Sequence, residues 1–279
     1  MKNKNKHQIF FIIFLILNCS FFSAQDVYQR EVPFTKELYE FIDLCLNHQL
    51  VSRELLDFYF NSAENSRPEN WDEYSKLVHK GRCLYFYGLS LMEDYDISDM
   101  AKVNLNDTSE KEALNRLAAK YFDKTIDICR DALKLKKGTD AYSLICNGIS
   151  ANCTAKNTAY IIRNGIKVSS YAKKSITQDF SNGTAHYLES CQSVYAPVPF
   201  CNVEEGKKRM ISYLDNCYIQ NEKFDTFYIL SAIGYSCQRL NQNDEALLWY
   251  GKSLEIYPEN VSVNRLVKKL NETNKDRKQ

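Results

Sequence analysis

The side chains that could carry chemistry here are a few histidines, ten cysteines and some paired carboxylates. His48, His79 and His186 each stand alone. None has a second ligand at zinc spacing, and no HExxH is present. His79 lies between Lys76 and Lys80 and is expected on a solvated helix surface. Glu93-Asp94 and Glu204-Glu205 read as ordinary solvated carboxylates. Glycosidase-type acid pairs leave no spacing signature across separate helices. GxSxG, P-loop and GxGxxG motifs are absent. No catalytic residue, metal ligand or cofactor is expected, and the chain reads as a non-enzyme. Asn106, Asn152, Asn182, Asn260 and Asn271 begin N-x-S/T triplets, which matter only in a glycosylating host.

The N-terminus reads as an address. Lys2, Lys4 and Lys6 precede an apolar run from Ile9 to Leu17, and small residues lead to Ala24. A basic head, a short apolar middle and a small-residue end make a secretory signal peptide over 1–24, with cleavage after Ala24. The competing readings are an uncleaved anchor and lipidation at Cys19. The apolar run is short of the ~20 residues of a comfortable span. The lipidation motif is poor, with Ile16 and Asn18 at its key positions. No later segment is apolar enough to cross a membrane.

Cleavage removes three of 36 basic residues and none of 35 acidic ones, leaving a net charge of −2. That balance gives no electrostatic reason to bind nucleic acid or an anionic membrane. Nine cysteines remain, an odd number without CxxC spacing. Cys146 and Cys153 sit about 10 Å apart on one helix, too far to bridge. Cys191 and Cys201 flank a Pro-containing loop and form the one plausible local disulfide. The alternative is nine thiols used as small apolar side chains.

The elements that must position these residues are helices. Apolar residues recur at three and four positions over Phe34–Phe60, from Pro68 through Leu89, over Ser109–Lys137, Ala141–Asn157 and Ala159–Phe180. The same holds for Thr184–Tyr195, Val203–Leu214, Phe224–Leu240 and Asp244–Tyr257. Asp94–Thr108 is polar and reads as a loop, and the tail beyond Asn271 as frayed. No strand pattern competes, so the fold class is all-α.

Residues 227–260 carry an internal unit. With Phe227 first, Leu230 falls at position 4, Ile233 at 7, Gly234 at 8, Ala246 at 20, Tyr250 at 24 and Pro258 at 32. This resembles the 34-residue tetratricopeptide repeat. Gly234 and Ala246 are small where paired helices approach, and Leu230, Tyr250 and Leu254 fill the space between them. Weaker units begin at Gly81 and Ala141, and 184–195 pairs with 203–214. The glycines at 88, 148 and 234 do not keep a strict period, so the repeats are interrupted, and a non-repeating bundle is the competing reading. Tyr195-Ala196-Pro197-Val198-Pro199-Phe200 before a Glu-Glu-Gly helix is also loosely similar to the T component of TRAP-type transporters.

The resemblance implies antiparallel helix pairs stacked as a right-handed solenoid over 80–273. A helical capping region over 25–79 precedes it and a charged tail at 274–279 comes after it. It also implies a concave groove lined by first-helix side chains. These are Tyr228, Ser231, Tyr235, Gln238 and Arg239 in the last unit, Tyr142, Ile145 and Ile149 in the middle one, and Arg82 and Tyr85 in the first. A Tyr-lined groove suits a protein or peptide partner. The expectation is an exported, periplasmic or secreted interaction protein. The alternative is a transport-associated protein that partners a periplasmic solute receptor or carries an apolar ligand.

Overall fold

The computed structural model describes residues 30–47, 52–92 and 109–276. The leader, Cys19, His48 and the Asp94–Thr108 loop lie outside them. The chain divides into two units after Arg30, and every described helix belongs to the unit that begins at Glu31.

Eleven helices make up the described residues: α1 Lys36–Asn47, α2 Arg53–Asn65, α3 Glu73–Ser90, α4 Ser109–Leu135, α5 Thr139–Ala155, α6 Thr158–Gln178, α7 Gly183–Tyr195, α8 Val203–Asp215, α9 Lys223–Arg239, α10 Asn243–Ile256 and α11 Val261–Asp276. No strand is present among them. The all-α expectation holds. The single run expected over Phe34–Phe60 is two helices, and the C-terminal helix passes Asn271 to reach Asp276.

Local sequence explains the starts. Ser52, Asp72, Asn157, Asn182 and Asn202 each accept a hydrogen bond from the backbone N–H three residues on. Each thereby satisfies one of the orphan donors of a helix N-terminus. At α9, Glu222 and Asp225 form a reciprocal capping box.

Each helix from α3 to α11 packs on the next, and α3 also packs on α5, α5 on α7, and α7 on α9. Helices α3, α5, α7 and α9 therefore form an inner row, and α4, α6, α8 and α10 are their partners. Close approach needs glycine at specific places. A Cβ on Gly234 would lie 2.7 Å from the Tyr250 ring, and one on Gly88 would lie 2.6 Å from Phe122. Tyr250, Phe122, Met210 and Ile145 are fully buried between rows.

His79 departs from expectation. It is buried, because α2 and the residues before α3 pack over its side of the helix. Its Nε2 lies 2.7 Å from the Ala63 carbonyl, and its ring meets the edge of Trp71. All nine described cysteines are free thiols, Cys191 and Cys201 included. Asn152, Asn182 and Asn260 are buried, which removes three of the five N-x-S/T triplets beyond residue 24 from any surface role.

Candidate functional site

The inner row is buried almost all round, although one side of a stacked row would ordinarily face solvent. The chain's own N-terminal segment explains this. Residues 31–34 lie against Tyr74 and Arg82 of α3 and the start of α5, and α1 reaches Lys223 at the start of α9 and Tyr257 in the α10–α11 turn.

The anchor is a buried ion pair. Arg82 on α3 and Asp140 on α5 approach to 2.8 Å, with both side chains 3% exposed. Together they hold both backbone polar groups of Val32. Its N–H donates to Asp140 Oδ2 at 3.0 Å, and its carbonyl accepts from Arg82 Nη1 at 2.7 Å. The same nitrogen reaches the Pro33 carbonyl at 3.3 Å. A fixed guanidinium fork can serve a carboxylate and a carbonyl at once. Its face lies 4.0 Å from the Phe34 ring centroid, a cation–π contact in a desolvated setting.

Glu31 supplies a cap that α5 lacks. Gly138 has no side chain to bond the first turn, and Glu31 Oε2 accepts from the Asp140 N–H at 3.2 Å. It also accepts from Tyr74 Oη at 2.7 Å and pairs with Lys136 at 2.8 Å. Burial, then Glu31, pushes the Tyr74 hydroxyl well above its ordinary pKa, so it stays protonated and a donor.

The other end of the segment is tied down by side chains. Phe34 stacks on Tyr39 and meets Phe224 of α9, and Phe224 in turn meets Phe86 of α3. These rings connect the first and last inner helices directly. Tyr39 donates to Glu222 at 2.7 Å. Asp43 accepts from Lys223 at 3.0 Å and from Tyr257 Oη at 2.9 Å. The Asn260 side chain donates to the Leu46 carbonyl at 2.6 Å, capping the last turn of α1.

The expected groove residues fall into three groups. Arg82, Tyr85, Ile145, Ile149, Ser231 and Tyr235 are buried. Tyr85 meets Phe122 of α4, and Tyr235 stacks on Tyr195 at 5.3 Å. Gln238 and Arg239 are partly exposed but engaged. Gln238 accepts from Tyr250 at 3.1 Å. Arg239 donates to the Val194 and Ala196 carbonyls at 2.6 and 3.4 Å and reaches Cys201 Sγ at 3.4 Å. It therefore caps the end of α7. Tyr142 and Tyr228 stay half exposed, the first beside Tyr171 and the second stacked on Tyr187. The inner face is thus brought together, but most of it is covered.

Asp140 and residues 31–34 were missed as site residues. Asp140 reads from sequence as a helix cap. A lone arginine inside Gly81-Arg82-Cys83-Leu84-Tyr85-Phe86 was the available signal, because a buried charge needs a partner. The described residues hold no cluster of His, Cys, Asp and Glu that could bind a metal. No family model matches the chain, and no curated protein or solved structure matches it.

Proposed function

We propose that this chain is a tetratricopeptide-like scaffold, exported from its cell, that binds a protein or peptide partner without catalysis. The inner-row contacts α3·α5·α7·α9 and the glycine-to-ring contacts at Gly88 and Gly234 support a repeat-type stack. The observation that carries the binding reading is the Val32 clamp. Arg82 and Asp140 read backbone N–H and C=O, the groups that any extended peptide offers. The inner face therefore has the chemistry of a peptide-binding face, with residues 31–34 as its resident peptide. The partner binds the part left open along α7 and α9, where Tyr187, Tyr195 and Tyr228 remain half exposed. Stacked tyrosines offer broad apolar area with polar tips.

The test is a pull-down from the cell envelope with the mature chain and with Tyr187→Ala/Tyr228→Ala. A defined partner that the variant loses, with its circular dichroism unchanged, supports the reading. Equal recovery by both proteins removes the inner face as the site.

A further inference from the structure

Helix α6 carries a second surface that nothing in the inner-face reading uses. It contains Arg163, Lys167, Lys173 and Lys174 and no acidic residue over residues 158–178. All four cations are exposed. None forms an ion pair among the described residues; Lys167 reaches Asn164, and Lys174 lies over the Tyr171 ring. The outward exposed acids of α4 behave differently. Glu112, Asp127 and Asp131 pair with Arg116, Arg130 and Lys134 along their own helix.

Two isoleucines stand in the basic field. Ile162 and Ile166 are 78% and 70% exposed. They are one turn apart on one face, about 6 Å along the axis. Arg163 and Lys167 come one residue after each, roughly 100° round the helix, and Lys173 and Lys174 extend the charge towards the C-terminus. Val168, Ala172 and Ser175 bury the opposite face. A chain with a near-neutral sum thus concentrates on one helix two bare isoleucines and four positive charges that no described acid pairs with.

We propose that α6 is a docking surface for an acidic amphipathic helix of a partner protein. Such a helix lays its apolar residues on Ile162 and Ile166 and its carboxylates over Arg163, Lys167, Lys173 and Lys174. The charge complementarity is one helix wide. Asp123 of α4 reaches Lys156 at 2.6 Å, at the turn that opens α6. The positive field therefore begins within α6 itself, since Asp123 already neutralises Lys156 at that turn. Two isoleucines are also a narrow apolar face for insertion into lipid.

The test uses the full chain and a labelled 18-residue helical probe of Leu and Glu, with Leu at i, i+3, i+4 and i+7, read by fluorescence anisotropy. Its Leu/Lys counterpart is the control probe. The expected result is binding of the acidic probe alone, weakened by raised salt. Ile162→Ser/Ile166→Ser and Arg163→Glu/Lys167→Glu should each weaken it on the order of tenfold or more. Both pairs are surface changes and should keep the wild-type melting curve. Lys120→Glu on α4 should bind as wild type. Equal binding of both probes, no binding, or indifference to the α6 variants overturns the proposal. So does sedimentation with 3:1 phosphatidylcholine–phosphatidylglycerol vesicles that Ile162→Ser/Ile166→Ser abolishes, which assigns the face to lipid. A dimer lost in the same variant assigns it to a second copy of the chain.

Discussion

Replacing Arg82 by Met should destabilise the fold severely, and the size is set by what is left behind. Met keeps the bulk of the stem but removes the charge, so Asp140 remains buried with the Val32 N–H and without its cation. Breaking a buried pair by removing one partner costs about 3–5 kcal/mol. The Val32 and Pro33 carbonyls lose their donor as well. For a domain of this size each kcal/mol moves the melting temperature by about 2–4 °C, so a drop of about 6–20 °C is expected. The double variant Arg82→Met/Asp140→Leu leaves no unpaired charge and should recover much of that loss. The assay is thermal unfolding by circular dichroism across wild type, both single variants and the double, analysed as a mutant cycle. A shift below 2 °C for Arg82→Met, or losses that merely add in the double variant, would refute the view that this pair anchors the N-terminal segment.

Two glycine substitutions should move stability in opposite directions in the same melts. Gly234→Ala places a methyl 2.7 Å from the Tyr250 ring and should cost about 1–3 kcal/mol. Gly251→Ala in mid-α10 meets nothing within 4 Å and should stabilise by about 0.5–1 kcal/mol. Burial pushes His79 and His186 below the ordinary histidine pKa, with Arg82 and Arg67 adding to the effect at His79. Below about pH 6.5 the unfolded chain then takes up protons that the folded chain refuses. Stability should be fully present above pH 7 and fall towards pH 5, and His79→Gln should flatten that slope in urea titrations. Burial also pushes the Cys83 and Cys191 thiols up to about 12, while Cys217 is exposed. Iodoacetamide at pH 8 should label Cys217 first, and mass spectrometry should find Cys83 and Cys191 modified only in denaturant.

The helices were legible because each is a local pattern. The α9–α10 unit shows this best: small Gly234 opposite a ring, and a turn rich in Asn and Asp. What lay beyond a sequence window was the pairing of distant residues. Val32 and Asp140 are 108 positions apart, and Asp43 and Tyr257 are 214. No periodicity links them, so the inner face read as an open groove rather than as the seat of residues 31–47. His79 was misplaced for a more local reason. Its flanking lysines suggested water, but the chain folds back just before α3, so that Ala63 of α2 and Trp71 cover the ring.

The central claim is that residues 31–47 occupy the inner face. Amide hydrogen exchange measured by mass spectrometry on the native chain tests it directly, because the Val32 N–H is buried against Asp140. Peptides spanning 31–47 should exchange as slowly as those of α3 and α5, and Arg82→Met should accelerate the stretch around Val32 before it affects α9. Exchange of 31–47 within seconds while α3 and α5 stay protected would contradict the claim and restore an open inner face.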